Sequence, residues 1–170
     1  MSIYRQIKKR KENITKIQEE KKQGKFACCG CGKEVAFSDN IGTAHRNHCP
    51  HCLASRHLDK NFSGDRSTNC SGCMRAIGLT FKKEGSDKYN NQKEGELMII
   101  HKCVICDKIS INRLAADDDE AAILILFHES FLLDNTTKQK ILNEGIEAAS
   151  LKDKERVFIK LFGKSINKIC

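Results

Sequence analysis

Residues 28–31 read Cys-Cys-Gly-Cys, residues 49–52 Cys-Pro-His-Cys, residues 70–73 Cys-Ser-Gly-Cys and residues 103–106 Cys-Val-Ile-Cys. Each is a C-x-x-C unit. A turn of this spacing aims two sulfurs at one point while its backbone N–H groups soften the thiolate charge, and two such turns complete a tetrahedral Zn²⁺ site. Seventeen residues separate Cys31 from Cys49 and another 17 separate Cys52 from Cys70; Cys73 and Cys103 are separated by 29. The first two intervals fall in the roughly 15–20 residue range of C-x-x-C zinc modules. Eight ligands for two Zn²⁺ ions follow: Cys28, Cys31, Cys49, Cys52, Cys70, Cys73, Cys103 and Cys106. A redox pair would sit at the strand-to-helix junction of a βαβ unit, and no such pattern surrounds these pairs. Iron–sulfur ligation would favour a compact cysteine run that is also missing. The equal spacing leaves two pairings open. Neighbouring pairs share a metal, or pairs cross over; the sequential arrangement closes shorter loops at less entropic cost. Cys29 and Cys170 are left over.

The rest of the chain is consistent with metal-dependent folding. Of 170 residues, 39% are hydrophobic, 31% charged and 6% aromatic, with no Trp and one Pro. That excludes a fully disordered chain but gives little material for a large aromatic core. The opening MSIYRQIKKRK is basic without a following apolar run, unlike a secretory signal. The longest apolar run, Ala121 to Phe127, is far too short to span a membrane. The expectation is a soluble cytoplasmic protein with no membrane partner, in a reducing compartment where structural disulfides are disfavoured.

Charge is unevenly placed. The net +8 divides into +6 over residues 1–25, +4 over 26–116 and −2 over 117–170. Eight thiolates holding two Zn²⁺ would neutralise the middle region. Attraction to nucleic acid then rests on the tail, with Lys8, Lys9, Arg10 and Lys11, and on how the arginines are arranged. The tail lacks Gly and Pro before Gly24 and places Ile3, Ile7, Ile14 and Ile17 roughly on one helical face; it reads as a basic, partly helical arm. Short apolar runs such as Gly78–Phe81 and Leu97–Ile100 read as strands between turns. The last third reads as helices. Asp117, Asp118 and Asp119 suit a helix start before Ala121 to Phe127, Thr136 to Gln139 fits a capping box, and Ser150 to Asp153 caps a helix carrying Val157, Leu161 and Phe162. The fold class is therefore α+β. A basic tail (1–25) precedes a small β-rich twin zinc-ribbon or knuckle domain (26–118), and an α-helical C-terminal extension (119–170) follows.

Arg46-Asn47-His48-Cys49-Pro50 spells the signature of the RNHCP-domain proteins, and the chain resembles that family elsewhere. Cys28-x-x-Cys31-Gly32 precedes the signature. Cys52-Leu53, Ser55, His57, Asp59, Gly64-Asp65-Arg66, Cys70-x-Gly72-x-Met74, His101-x-Cys103-x-x-Cys106 and Asn112-Arg113-x-Ala115-x-Asp117-Asp118 follow it. The resemblance covers residues 26 to about 118 and implies a small zinc-ribbon domain with no established reaction. It also implies an apolar residue at position 73, which makes His101 the alternate fourth ligand of the second site, since imidazole serves zinc well.

The polar residues around the pairs are Arg46, Asn47, His48, Arg56, His57, Asp59, Asp65, Arg66, Asn112 and Arg113. They read either as support for the metal loops or as a recognition surface. Arginine forks bind phosphate, and Asn and His read or stack on bases. Phe26, Phe37 and Phe62 offer stacking or core packing. The leading expectation is a non-catalytic zinc-ribbon protein that binds structured RNA, with rRNA on the ribosome as a candidate. The nucleic-acid-binding set is Arg46, Asn47, His48, Arg56, His57, Arg66, Asn112, Arg113 and the tail residues 8–11. The alternatives are a protein-interaction module using the C-terminal helices, and a nuclease using His48 or His57 with Asp65. No small-molecule substrate is implied.

Overall fold

The computed structural model describes residues 3–37, 46, 48–61, 65–83, 85 and 95–163. Helix α1 (Ile3–Gln23) fills the basic tail. With no Gly or Pro to interrupt it, the helix runs to Gly24, whose φ of +70° is the left-handed stop that glycine takes at least cost. It is pinned at its middle and near its end. Arg56 Nη1 and Nη2 donate to the two carboxylate oxygens of Glu20 at 2.9 and 2.7 Å, and Asn13 bonds to Ser71.

Two short strands follow, β1 (Lys25–Ala27) and β2 (Glu34–Ala36), paired antiparallel with Phe26 opposite Val35. Alternation turns Phe26 and Val35 inward with Cys28, Cys49 and Ala54, and Phe37 packs against them. A four-stranded antiparallel sheet comes next, ordered β3 (Ser55–Arg56), β4 (Cys73–Phe81), β5 (Leu97–Cys103), β6 (Ile109–Arg113).

β5 is the centre of the protein. All its residues but Lys102 are buried, because both faces of the sheet are covered. Leu97 and Ile99 join Leu53 and Leu79 beneath helix α2 (Glu120–Leu132), which presents Ile123, Leu126 and Phe127 at helical spacing. Val157 of α4 (Lys154–Phe162) completes that cluster. Ile100 points to the opposite face and meets Ile109 and Ile141, the latter from α3 (Asn135–Asn143). The core thus runs continuously from the sheet into the segment after residue 118.

β3 covers only the first two residues of β4, which leaves the rest of that strand as an edge. The edge is closed by other elements. Ala149 N–H donates to Leu79 O at 2.7 Å, and Thr80 Oγ1 donates to Glu147 O at 2.6 Å. Ser130 Oγ accepts the Leu79 N–H at 2.9 Å, next to the irregularity between Ala76 and Gly78. An open edge would invite pairing with another chain.

The helix starts differ in part from those read in the sequence. Asp119 caps α2 by accepting from Ala122 N, but Asp117 and Asp118 serve elsewhere. The cap of α3 is Asp134, which accepts from Thr137 N at 2.9 Å, so Thr136 lies inside the first turn rather than at its cap. Asp153 accepts from the Ser150 backbone N–H and hydroxyl ahead of α4, as the Ser150–Asp153 spacing suggests. Among the described residues no helix is long and apolar enough to cross a membrane.

His101, on β5, is fully buried. Its Nε2 donates to Leu53 O at 2.7 Å, and its Nδ1 accepts from Asn112 Nδ2 at 3.4 Å, so the ring is neutral. Burial pushes its pKa from 6.5 down to about 4. The unfolded chain therefore takes up a proton near pH 6.5 while the folded chain does not until about pH 4. His101's contribution is fully present above pH 6.5 and is lost as the pH falls toward 4. The slope is about 1.4 kcal/mol per pH unit, on the order of 3 kcal/mol across the window. His101→Gln should destabilise the protein at pH 7.5, and its deficit against the parent should shrink as the pH falls through that window. Denaturant titration of both proteins across pH checks this, and a constant gap contradicts it.

Candidate metal centres and the polar network beside them

Three of the four C-x-x-C units fold into the same turn. The backbone N–H of the first Cys donates to the carbonyl five residues on: Cys28 to Lys33, Cys49 to Ala54 and Cys103 to Lys108, each at 2.9 Å. The carbonyl of the first Cys accepts from the residue after the second: Gly32, Leu53 and Asp107, at 3.1, 2.8 and 3.1 Å. Those three residues share a positive φ of 73°, 58° and 59°. The left-handed residue costs a non-glycine roughly 1–2 kcal/mol. Leu53 is held there with its side chain buried in the main core.

The turn also aims N–H groups at sulfur. Gly30 N and Cys31 N donate to Cys28 Sγ at 3.2 and 3.4 Å. The Lys33 N–H, aided by neighbouring thiols, draws Cys31 down to about 7. Burial pushes Cys49 and Cys52 up, against the pull of the His51, Cys52 and Ala54 N–H groups. Burial also raises Cys70, to about 11. At Cys103 burial is outweighed by N–H groups of Cys106 and Ile105 together with Cys70 and Cys106, and its pKa falls. Ligation requires every one of these thiols as thiolate, and N–H donors stabilise that form.

Two clusters result. Cys28, Cys31, Cys49 and Cys52 form one; His57, Cys70, Cys103 and Cys106 form the other, and within each the ligand atoms lie within 4.8 Å of one another. Tetrahedral coordination with Zn–S near 2.3 Å sets sulfurs roughly 3.8 Å apart. Cys28 and Cys52 Sγ are 3.5 Å apart, Cys31 and Cys49 3.7 Å, and Cys70 and Cys103 3.6 Å. Cys106 Sγ stands 3.3 Å from His57 Nδ1. A Cβ built on Gly30 would lie 3.3 Å from Cys52 Sγ and 2.7 Å from Ala54 Cβ, and one on Gly72 would lie 2.8 Å from Cys103 Sγ. Only glycine lets the backbone approach each cluster this closely. Donor type, number and spacing fit two Zn²⁺ ions, in the sequential rather than the crossed arrangement.

The second cluster differs from the ligand set read in the sequence. Cys73 is not in it, because the third C-x-x-C, Cys70–Cys73, does not make the turn. Cys73 already belongs to β4, where it pairs with Arg56 and its carbonyl accepts from Val104 N at 3.0 Å. An extended chain cannot turn its sulfur back toward that of Cys70. Cys73 is instead joined by a disulfide to Cys29, a bond the reducing-compartment expectation disfavours. His101 is not in the cluster either. It lies two residues before Cys103 on the strand, about 7 Å along it, and both its ring nitrogens are engaged as described above. The ligand is His57, whose backbone N–H is fixed by Gly72 O at 2.9 Å. Burial pushes its pKa below the ordinary range, which keeps the ring neutral as a ligand must be. In the sequence His57 lies between the second and third cysteine pairs, outside any C-x-x-C unit, with no spacing that marks it as a ligand.

The residues expected to face nucleic acid mostly face inward. Arg46 has a fully buried side chain that forks onto Asp117, with Nη1 to Oδ2 at 2.8 Å, and reaches Asp118 at 3.3 Å. His48 Nε2 donates to both oxygens of Asp118 at 2.9 Å, and Asp118 also accepts from Ala115 N at 2.7 Å. The Arg46 fork holds Asp117 below the usual carboxylate range. Arg56 is committed to Glu20 and stands over the Phe26 ring at 4.9 Å. Arg66 meets Asp59 at 3.9 Å, and Asn112 donates to Ser55 Oγ at 3.1 Å. Arg113 pairs with Glu96 at 3.0 Å but keeps a mostly exposed side chain. Lys8 and Lys11 are exposed. Asn47, Phe62, Cys170 and the side chains of Lys9 and Arg10 lie outside the described residues.

These assignments separate by zinc content. His57→Ala should drop bound zinc from two equivalents to one, since an incomplete site holds metal too weakly to survive dialysis. Cys73→Ala should retain both. Elemental analysis after dialysis checks the pair, and the reverse outcome would restore Cys73 as the ligand.

The model of the RNHCP domain matches residues 23–124, slightly wider than the span read from the motifs. No curated protein and no solved structure gives a significant match. The match covers more than half of the chain and includes all eight residues of the two clusters, the Arg46–His48–Asp118 network and the cap of α2; the chain belongs to the RNHCP domain family.

Proposed function

We propose that the chain is a non-catalytic, zinc-stabilised module that binds structured RNA in the cytoplasm through the phosphate backbone, using α1 as its basic surface. The observation that carries this reading is the anchoring of α1. The Arg56–Glu20 fork and the Asn13–Ser71 bond hold an otherwise solvated helix against β3 and the segment that carries Cys70. Lys8, Lys11, Lys16, Lys21 and Lys22 are exposed along it, and Lys8, Lys11 and Lys22 fall on one face at 3.6 residues per turn. Glu20, one of only three acids on the helix, is turned inward.

With seven thiolates and two divalent ions in place, the formal charge falls from +8 to about +5, still a surplus of positive charge. RNA is read largely by shape and backbone, which a convex lysine surface can engage without a deep pocket. The non-catalytic reading is supported by the closed ligand sets, which leave no open coordination position. It is also supported by the positions of the nuclease candidates. His48 is committed to Asp118, His57 belongs to a cluster, and Asp65 accepts from the N–H groups of Lys60, Asn61 and Ser67.

An rRNA fragment titrated across a salt series tests the proposal. Three phosphate contacts should give a slope of log K against log salt of about −2 to −3. The triple variant Lys8→Gln, Lys11→Gln, Lys22→Gln should flatten it by most of that amount. A binding constant indifferent to salt, or a slope unchanged in the variant, overturns the reading.

A further inference from the structure

Among the described residues, two cysteines stand apart from both clusters yet lie between them. Cys29 sits inside the first metal turn, beside Cys28; Cys73 opens β4, and its carbonyl accepts from Val104 N in the turn of Cys103 and Cys106. Their Cα atoms are 5.6 Å apart, within the span a disulfide bridges without backbone movement. We propose that Cys29 and Cys73 are a reversible redox pair, which closes into a covalent tie between the first metal turn and the start of β4 without drawing on any of the eight metal ligands.

The surroundings accommodate both states. Ser55 O lies 3.1 Å from Cys29 Sγ. In the thiol form the S–H has that carbonyl as its acceptor. In the disulfide no S–H remains, and the carbonyl keeps a second lone pair direction for other donors. Opening the bond therefore leaves the Cys29 thiol with an acceptor, while Cys73 packs against the Phe26 and Val35 cluster. Cys29 is exposed and Cys73 half-buried, so an oxidant in solution meets Cys29 first.

The oxidant is a small-molecule disulfide, for which oxidised glutathione is the probe. The Cys29 sulfur attacks one glutathione sulfur, forming a mixed disulfide and releasing one glutathione thiol. The Cys73 sulfur then attacks the Cys29 sulfur of that mixed bond and releases the second glutathione thiol. Two cysteine thiols become one cystine, one glutathione disulfide becomes two thiols, and the two cysteine protons end on the glutathione sulfurs. The tie closes a loop spanning 44 residues of sequence, within which lie Cys31, Cys49, Cys52, His57 and Cys70, five of the eight ligands. A loop of this size restricts the metal-free chain. The oxidised protein should therefore surrender zinc to a chelator more slowly than the reduced one.

The test uses the full zinc-loaded chain with Cys170→Ser, so that only Cys29 and Cys73 lack a metal. It is incubated with oxidised glutathione, alkylated under native conditions, digested and mapped by mass spectrometry, with zinc counted in parallel by native mass spectrometry. The expected result is one cross-link, Cys29 to Cys73, a loss of two hydrogens, two zinc ions retained and full reversal by dithiothreitol. Cys29→Ser and Cys73→Ser should each retain two zinc ions and form no internal cross-link. The proposal is overturned if cross-links involve ligand cysteines with release of zinc. It is also overturned if Cys29 stays a thiol or an unresolved mixed disulfide, or if either serine variant binds only one zinc.

Discussion

The fold depends on thiolate sulfur held against backbone N–H groups in three copies of one tight turn. In each copy the first cysteine closes the turn at both ends, through its own N–H and its own carbonyl. This fixes where the two sulfurs point before any metal binds. The cost is a left-handed residue after each turn, met by glycine once and by Leu53 and Asp107 otherwise. The same turns serve as strand ends. Cys103 terminates β5, the most buried strand, so the second cluster is rooted in the core, whereas the first rests on a two-strand hairpin and a cluster of small size.

A buried polar network carries this order from the metal turns to the helices. Arg46 and His48, two letters of the family's signature, converge on Asp117 and Asp118 some seventy residues away. Asp119 then caps α2, and its own N–H donates to Pro50 O at 2.9 Å. The signature segment, the first cluster and the helix start are thus one assembly. Removing one partner from such a network leaves a buried charge uncompensated, which typically costs about 3–5 kcal/mol. The motif residues are explained by this construction without any contact to a ligand, and that explanation moves the search for a binding face to the exposed lysines of α1.

The legible parts of this protein were those written in local spacing. C-x-x-C units announce turns, so the first cluster and the existence of a second could be read directly. Alternating and unbroken apolar runs announced β4 and β5, and acidic residues before an apolar run announced α2. The illegible parts are those set by tertiary geometry. A fourth C-x-x-C looks identical to the others until Cys73 is found in an extended strand, where the two sulfurs diverge. His57 carries no spacing signature, because its partner ligands come from two distant segments, Cys70 and the Cys103–Cys106 turn. His101 stands two residues before Cys103 in sequence but is consumed by the Leu53 carbonyl and Asn112. Arginines near metal turns look the same whether they face water or an aspartate, and only the pairing with Asp117, Glu20 and Asp59 decides.

The central claim is that three turns, the lone cysteine Cys70 and the histidine His57, rather than four turns, build the two metal centres. Zinc K-edge X-ray absorption on the metal-loaded protein tests it most directly. One centre of four sulfurs and one of three sulfurs with one imidazole predict an average of about 3.5 sulfur and 0.5 nitrogen ligands per zinc, with imidazole outer-shell scattering. A spectrum fitted by four sulfurs per zinc and no imidazole would contradict the account.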